Sequence, residues 1–379
     1  MMGRTPFAGV AWQVLHYLEG LRRLGHDVYY VEDTGEWPYD PKQNTISGDP
    51  SYTVTYIARL MARIGFDHRW AYVSAADGRV YGLTAGEIAR LFGGADALIN
   101  LTGATVLRAE HCRIPIRIYL ETDPVLPQIE VAQGNRFTID LLRAHTHHFS
   151  FGENLGTEDC LVPVGPFAYQ PTRQPVVIEW WAGAAERAVD TVGPFTTIAN
   201  WRQEGKDIQW GGEAYFWSKH LEFLRFVDLP CRAGQTLELA LACDDEEVLS
   251  MLRGHGWRVA DALSLSRDVT PYQEYIMGSR AEFTVAKDQN IRLRSGWFSD
   301  RSACYLASGR PVVTQDTGFA CTLPVGEGLF PFRTMSEILE AFDRINADYT
   351  KHSRSARVIA EQYFRAETVL AAMLSQAGL

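Results

Sequence analysis

The segment from residue 295 to residue 321 constrains the fold more than any other part of the chain. It predicts a polar loop at 295–299, a short helix at 300–308 and, after Gly309, a buried strand that begins at Pro311. In an α/β domain, a loop that leads into a helix presents unsatisfied backbone N–H groups, which bind phosphate groups of a ligand. The segment therefore predicts an α/β domain with a phosphate-binding loop.

The rest of the chain alternates between strands and helices, and the predicted strands end in polar turns. The strands expected in the first half are 27–31, 69–73, 97–101, 114–120 and 147–151. Those expected in the second half are 195–199, 237–242, 281–286 and 311–314. The helices expected between and after them include 11–24, 52–64, 84–92, 212–227, 244–253, 270–277, 336–347, 349–363 and 367–375. This alternation is typical of doubly wound parallel sheets.

The length of 379 residues exceeds what one ordinary core holds, so two domains are expected. A proline cluster at residues 163–175 is the best boundary, which gives an N-terminal domain at 1–165 and a C-terminal domain at 166–379. We expect the last helix to pack back on the N-terminal domain. A cleft between two such domains collects strand ends from both sides around one ligand.

The composition restricts the cellular compartment and the kinds of binding partner that we expect. The net charge of −10 makes nucleic acid an unlikely partner, whereas small phosphorylated ligands need only a few local cations. No apolar run is long enough for a membrane span, and the first residues lack an apolar signal core. The six cysteines are scattered without a CxxC pair, which favours reduced thiols. We therefore expect a cytoplasmic protein, and the sequence does not predict its oligomeric state.

Three motifs together resemble GT-B glycosyltransferases of the bacterial, nucleotide-sugar-dependent type. Residues 21–33 (LRRLGHDVYYVED) resemble the "LxxxGHxV" end of the first helix, and residues 307–313 (ASGRPVV) resemble the "AxGxPVV" that closes the donor site. Residues 327–330, followed by a helix, resemble a third motif of the superfamily. The resemblance implies two Rossmann-like domains facing across a cleft. It also implies a hexosyltransferase that moves a sugar from a UDP-, GDP- or dTDP-linked donor to an unknown acceptor hydroxyl, without a further cofactor.

The chain departs from that resemblance in two places. Only a few residues precede the first helix, so the strand that normally opens the fold is missing or very short. Many retaining members also carry a glutamate that holds the donor ribose, and the aligned position here is Cys304. Both departures keep open a catalytically silent nucleotide-sugar-binding protein. A nucleotide-sugar epimerase or a phosphorylase on the same scaffold is a further alternative.

The candidate donor-binding residues lie at predicted strand ends and helix starts. Lys287 follows a predicted strand, where a leaving diphosphate needs a cation, and Arg301 could neutralise charge bidentately. The non-functional alternatives are that Lys287 is a solvent-exposed lysine, that the loop merely caps the following helix, and that Trp201 packs in the core. The full candidate set is Gly9, Asn200, Trp201, Arg202, Lys206, Lys287, Ser295, Gly296, Trp297, Phe298, Ser299, Asp300 and Arg301.

The candidate catalytic residues belong to the first half. Glu121 and Asp123 close a strand that should face the cleft, where a carboxylate could take the acceptor hydroxyl proton. His16, near the start of the first helix, is the rival base that the resemblance implies. The alternatives are a turn-shaping role for Asp123 before Pro124 and a helix-surface role for His16.

No metal site is predicted. His147 and His148 point to opposite faces of one predicted strand, so they are poor co-ligands. Asp244 and Asp245 are adjacent at a helix start, where capping is the simpler role. The expected chemistry is therefore independent of a divalent metal.

Overall fold

The structure is a computed structural model that describes residues 1–184 and 193–379. The helices of the first half are α1 (Ala8–Arg23), α2 (Ser51–Arg63), α3 (Ala85–Gly94), α4 (Leu126–Ala132) and α5 (Arg136–Arg143). Its strands are β1 (Tyr30–Glu32), β2 (Tyr39–Asp40), β3 (Thr45–Ile46), β4 (Trp70–Val73), β5 (Val80–Gly82), β6 (Ala97–Leu101), β7 (Ile116–Glu121), β8 (His147–Ser150) and β9 (Tyr169–Pro171).

The second half repeats the alternation. Its strands are β10 (Phe195–Asn200), β11 (Ile208–Trp210), β12 (Glu213–Tyr215), β13 (Leu237–Ala242), β14 (Arg258–Asp261), β15 (Ala281–Thr284), β16 (Val312–Gln315) and β17 (Leu329–Phe332). Its helices are α6 (His220–Arg225), α7 (Leu229–Ala233), α8 (Glu246–Gly254), α9 (Ala262–Ser266), α10 (Val269–Gly278), α11 (Asp288–Arg292), α12 (Asp300–Ala307), α13 (Met335–Ala347), α14 (Tyr349–Tyr363) and α15 (Ala366–Ala377).

The second half contains one continuous sheet of six strands. Its order is β14-β13-β10-β15-β16-β17, and every pairing is parallel. Its interior strands have both faces covered, and β15 is buried at all four positions. This is the order of a doubly wound sheet, in which ligands bind beyond the carboxyl ends of the strands near the first strand, here β10.

The parallel strands of the first half are divided between two sheets, and β2 and β3 form a separate antiparallel pair. Strands β6-β7-β8-β9 form a parallel sheet, and β1-β4-β5 form a smaller one in which β5 is antiparallel. In the described residues, no strand joins β1 to β6. The single sheet that the alternation suggests for this half is therefore split, because residues 1–7 form turns and bends rather than a strand.

Local sequence signals account for several helix boundaries. Thr84 and Glu87 form the expected capping box at α3, where the Thr84 hydroxyl accepts from the Glu87 N–H and the Glu87 carboxylate accepts from the Thr84 N–H. At α12 the expected helix is confirmed, and Gly309 ends it in the left-handed region at φ +67°. These boundaries depend on contacts within a few residues, which makes them readable from sequence.

The segment 212–227 does not form the single helix that its pattern predicts. Gly211 and Gly212 have φ values of +60° and +84° and turn the chain into the antiparallel hairpin β11–β12. A short helix, α6, follows only at His220. The apolar spacing of this segment fits a helix as well as a hairpin, so the sequence alone does not predict the hairpin. The hairpin brings Trp217 and Lys219 to the edge of the cleft.

Two elements tie the halves together. Helix α1 contacts α10, and the Trp12 indole N–H donates to the Val269 carbonyl at 3.1 Å. Helix α15 packs against α1 so closely that a Cβ at Gly20 would lie 2.5 Å from the Leu370 side chain. The C-terminal helix is therefore part of the N-terminal core, and the chain crosses between the halves twice.

Candidate functional site

An ion pair joins the two halves at the carboxyl ends of their strands. Asp123 lies two residues after β7, Lys287 lies three residues after β15, and the Lys287 ammonium binds the Asp123 carboxylate across the cleft. The Lys287 side chain is 9% exposed and that of Asp123 is 31% exposed. The second carboxylate oxygen of Asp123 is buried and has no partner within the described part of the chain. The cleft thus already holds one anionic group on this lysine.

The turn that carries Asp123 is conformationally strained. Val125 has φ +94° and ψ −59°, a region that β-branched residues rarely adopt and that costs roughly 1–3 kcal/mol. The side chain of Gln128 holds the turn, because its carbonyl accepts from the Val125 N–H at 2.7 Å and its amide donates to Glu121. Strain of this kind concentrates at functional sites, so it supports the assignment of this turn to the site.

Three lysines and two indole rings line the second-half side of the cleft. The Lys287 ammonium lies 3.1 Å from the centre of the Trp217 ring, and that of Lys206 lies 4.3 Å from the same ring. The Lys219 ammonium lies 5.6 Å from the centre of the Trp297 ring. Cation–π contacts hold such a group of like charges together without neutralising it. The arrangement can therefore still bind an anion.

Burial perturbs two of these lysines. It lowers the pKa of Lys219 to about 7, and the charges of Arg301 and Lys287 lower it further in the same direction. Burial also lowers the pKa of Lys287 to about 8, against the opposing effect of Asp123. Protonation of both groups therefore changes near neutral pH. A bound anion would favour the charged forms.

The first backbone N–H groups of the predicted phosphate-binding loop, at residues 295–297, already have hydrogen-bond partners within the protein. The N–H groups of Ser295 and Gly296 donate to the carbonyls of Asn290 and Thr317, and the N–H of Trp297 donates to the Ser295 hydroxyl. A Cβ at Gly296, where φ is +77°, would lie 2.8 Å from Asn154 of the first half, so only glycine fits.

Contacts across the cleft show what this loop does. The Asn154 N–H donates to the Ser295 carbonyl, and the Trp297 indole N–H donates to the Thr122 carbonyl at 3.0 Å. Ser295 and Gly296 therefore clamp the two halves together, and Trp297 presents its ring to Lys219. The first backbone N–H groups of the loop are not available to a phosphate.

The next three residues lead from this clamp into α12. Phe298 is buried and packs against Phe319 and Phe364, and Ser299 is also buried. Asp300 is half-buried in the first turn of α12, and burial raises its pKa. Gly9, in the first turn of α1, lines a small cavity of about 10 Å³ together with Asp300. This cavity holds about one water molecule, so α1 and α12 approach each other closely here.

Arg301 lies inside the second half rather than in the cleft. Its guanidinium donates to the fully buried Glu282 at 2.7 Å, to the Ile198 carbonyl and to the Thr284 hydroxyl. These bonds use the donors that would have bound a phosphate. The predicted role of Arg301 as a bidentate phosphate ligand does not fit this orientation, which sequence could not show because Glu282 lies on a neighbouring strand.

The loop after β10 separates into buried and exposed residues. Trp201 is buried in the core of the second half, with its ring 6.0 Å from that of Phe223. Asn200 and Arg202 are exposed at the end of β10, and Lys206 is exposed beside Trp217. The packing alternative for Trp201 therefore describes its environment, whereas Arg202 and Lys206 remain accessible to a ligand.

Glu121 is buried beneath the site. Its carboxylate accepts from Gln128 and from the Ser150 hydroxyl, and burial raises its pKa to about 8. At neutral pH it is therefore mostly protonated. Its contacts make it a support for the turn that carries Asp123 rather than a group that faces the cleft.

His16 lies on the buried face of α1, against Val177 and Trp181 of the second half. Its Nδ1 accepts from the Val177 N–H at 3.0 Å, and its Nε2 faces the Trp181 indole N–H at 3.3 Å. Burial lowers the pKa of His16 to about 3, with Arg23 adding to the effect. Both ring nitrogens face donors, so this geometry leaves no free nitrogen for the acceptor proton. Of the three candidate bases, only Asp123 faces the cleft.

Sequence reasoning did not single out Lys219 or Trp217 as site residues. Both fall in the segment that was expected to be helical, and the hairpin β11–β12 moves them to the cleft. Two adjacent glycines before an aromatic-rich stretch are the signal that could have revealed the turn.

In residues 1–184 and 193–379, no group of three His, Cys, Asp or Glu side chains is placed to hold a metal ion. His145 and His148 each bind a main-chain carbonyl of the first half instead. Over the same residues, none of the helices has the length and apolar character needed to span a membrane.

The comparisons with known proteins identify the fold. No family profile and no curated protein matches the sequence. The solved structure of AviGT4, a glycosyltransferase involved in avilamycin A biosynthesis, is 15% identical, with a TM-score of 0.53 over 99% of this chain and 91% of that chain. An alpha-glucosyltransferase in complex with UDP is 11% identical, with a TM-score of 0.57 over 98% of this chain and 96% of that chain.

Anabaena HepE, solved in complex with UDP and glucose, is 12% identical, with a TM-score of 0.55 over 92% of this chain and 99% of that chain. At these identities the likeness concerns the fold. The chain has the GT-B fold, with two Rossmann-like domains facing across a cleft, and the fold class predicted from sequence is confirmed.

Proposed function

We propose that the chain is a glycosyltransferase that moves a sugar from a nucleotide-diphosphate sugar to an acceptor hydroxyl. One observation carries the proposal: Lys287 binds the carboxylate of Asp123 across the cleft, at strand ends where this fold binds ligands, and Lys219 lies near enough for the charge of Lys287 to lower its pKa. Three cations on one side suit a diphosphate, and one carboxylate on the other suits an acceptor hydroxyl. The solved structures that share the fold include proteins in complex with UDP.

The ion pair between Asp123 and Lys287 is the starting point of the proposed mechanism. A diphosphate entering the cleft replaces the carboxylate as the partner of Lys287, and Lys219 takes up a proton as its pKa rises. Both ammonium groups then stabilise the charge that develops on the leaving diphosphate. Because lysines supply this charge, the proposed reaction is independent of a divalent metal.

Once the diphosphate has replaced it as the partner of Lys287, Asp123 is free to act as the base. In a direct displacement, the acceptor oxygen bonds to the anomeric carbon while the bond from that carbon to the diphosphate oxygen breaks. The acceptor hydroxyl proton passes to Asp123, and the bonding pair leaves with the nucleoside diphosphate. Glu121 and Gln128 contribute by holding the strained turn on which Asp123 lies.

Thermal unfolding in the presence of nucleotides tests the proposal. UDP, GDP, dTDP, ADP, CDP and their sugar conjugates should be compared, since a ligand at about 100 times its Kd adds roughly 2.7 kcal/mol of stability. A response to one nucleotide family supports the donor site and identifies the base. If none of these ligands stabilises the protein at millimolar concentration, the proposal is wrong.

A catalytically silent nucleotide-sugar-binding protein is the second candidate. It is favoured by Cys304, which occupies the position of the expected ribose-binding glutamate and lies buried with its thiol 4.0 Å from His16. The two candidates differ in turnover. An enzyme consumes a donor that stabilises it when a suitable acceptor is added, whereas a silent binder leaves the donor intact in every acceptor mixture.

A further inference from the structure

Trp217 is buried in an environment that is unusual for an indole ring. It is only 5% exposed, yet it is not part of the apolar clusters that form the core in residues 1–184 and 193–379. Trp201 is similarly buried, but it packs into the core of the second half beside Phe223. Indole rings are normally buried against other apolar side chains. The surroundings of Trp217 are different, because its ring lies against lysines of the cleft.

Two of these lysines reach the ring from two different loops. The Lys287 ammonium lies 3.1 Å from the centre of the Trp217 ring, and the Lys206 ammonium lies 4.3 Å from it. Lys206 follows β10 and Lys287 follows β15, and these strands are parallel neighbours in the sheet. Because neighbouring parallel strands end at the same edge of a sheet, the two loops meet at this ring.

Hydrogen bonds fix the ring relative to both loops. The Trp217 backbone N–H donates to the Asp207 carboxylate at 2.8 Å, and its indole N–H donates to the Gln203 side-chain carbonyl at 3.2 Å. The Gln289 side-chain amide donates to the Lys206 carbonyl at 2.8 Å, which joins this loop to α11, the helix that follows β15. The ring and the two loops therefore form one hydrogen-bonded unit.

The neutrality of the ring matters for anion binding. A carboxylate between the two lysines would hold them equally well, but it would cancel the charge that attracts an anion. The negative face of an aromatic ring attracts ammonium groups and leaves their charge intact. Burial lowers the pKa of Lys287, Asp123 opposes this effect, and the nearby charge of Lys206 lowers the pKa further. The ring therefore offsets part of a repulsion between two like charges that lie close together.

We propose that Trp217 is a positioning residue for the diphosphate of the donor: its ring holds the ammonium groups of Lys206 and Lys287 close together, so that both bind the same diphosphate. This inference rests on the proposed function. When a diphosphate replaces Asp123 on Lys287, the ring remains the fixed partner of that lysine. Two neighbouring cations match the two phosphates of a diphosphate, whereas a monophosphate offers fewer charged oxygens to them. Trp217 thus favours nucleoside diphosphates over nucleoside monophosphates.

Nucleotide titrations of the full chain test the proposal. The probes are UDP, GDP, dTDP, ADP and CDP with the corresponding monophosphates, and the pair used is the one whose diphosphate stabilises the parent protein. Trp217→Leu should lower the affinity for the diphosphate by about tenfold, because it removes two buried cation–π contacts, and that for the monophosphate by less than about threefold. Trp217→Phe keeps an aromatic face and should stay within about threefold of the parent. Trp37→Leu, at an exposed tryptophan, is the matched control.

Two further measurements separate the role of the ring from an effect on folding. Tetrafluorotryptophan at position 217 weakens the negative face of the ring with little change in its shape. Diphosphate affinity should therefore fall while the thermal midpoint of the free protein stays the same. A double-mutant cycle with Lys206→Met measures the coupling between ring and cation. The loss caused by Trp217→Leu should be about threefold smaller in the Lys206→Met protein, since one contact is already absent there.

The outcomes distinguish this inference from the proposed function. If no nucleoside diphosphate binds the parent protein, the proposed function is wrong and the inference falls with it. If the parent binds a diphosphate, three results overturn the role of Trp217 alone. These are unchanged affinity in Trp217→Leu and with tetrafluorotryptophan, equal losses for the diphosphate and the monophosphate, and equal losses with and without Lys206→Met. Each of them would make Trp217 a packing residue.

Discussion

The two halves of the molecule have similar sequence patterns, but only the second half forms one continuous parallel sheet. In the second half, six parallel strands form one sheet, and its cation–π contacts hold three lysines at one end. In the first half, the parallel strands are divided between two sheets, and the turn that carries Asp123 is strained. In the proposed function, the half with the continuous sheet binds the donor, and the half with the divided sheet presents the carboxylate of Asp123.

The largest effect is expected from the first-half carboxylate. Asp123→Asn should lower transfer by about 10²–10⁴-fold, the usual contribution of a general base. Nucleotide affinity should stay the same or rise, because Lys287 loses its competing anion. Transfer rates and nucleotide titration measure the two effects separately, with Asp140→Asn, an exposed carboxylate on α5, as control. Retained turnover would remove Asp123 from the role of base.

The stability of the second half should depend on the buried ion pair between Arg301 and Glu282. Arg301→Met leaves Glu282 buried without its cation, so we expect the free energy of unfolding to fall by about 3–5 kcal/mol. Chemical denaturation measures this loss, and Arg202→Met, at an exposed arginine, should stay within about 0.5 kcal/mol of the parent. If Arg301→Met folds with unchanged stability but loses nucleotide binding, Arg301 is a ligand residue after all.

The cleft lysines should affect binding more than stability. Lys219→Met and Lys287→Met each remove a charged partner of the proposed diphosphate, worth roughly 1.5–3 kcal/mol, so nucleotide affinity should fall by about 10–150-fold. Calorimetric titration measures the change, and Lys351→Met, at an exposed lysine paired with Glu327, is the matched control. Equal affinities in all three variants would contradict a donor site on these lysines.

The smallest effect is a pH dependence of the same binding. The pKa of Lys219 is about 7 in the free protein, so above pH 7 a bound diphosphate must draw a proton onto this group. Affinity should therefore fall as pH rises from 7 to 8, by at most about tenfold, or 1.4 kcal/mol, for the proton taken up by Lys219, and Lys287, whose pKa is about 8, adds a smaller decrease in the same direction. Titrations at several pH values measure the slope, which should flatten in Lys219→Met. An unchanged slope in that variant would assign the dependence to another group.

Local signals made much of the fold predictable. The capping box at Thr84 and Glu87, the helix end at Gly309 and the strand of ASGRPVV depend on contacts within a few residues, and all are present in the structure. The motifs of the resemblance likewise indicated two Rossmann-like domains, and the comparisons confirm this fold. Lys287 and Asp123 could be expected at the cleft because the carboxyl ends of parallel strands meet there.

The sequence by itself determined most of the alternation of strands and helices, with the hairpin in segment 212–227 as an exception, since the spacing of apolar residues decides which elements can bury a face. The tertiary structure alone decided the partners of the polar groups. Asp123 binds Lys287, 164 residues away, Arg301 turns inward to Glu282, and both nitrogens of His16 face buried donors. Periodicity says whether a side chain is buried, but the partner of a charge depends on which elements pack together, and that is settled only when the two halves meet.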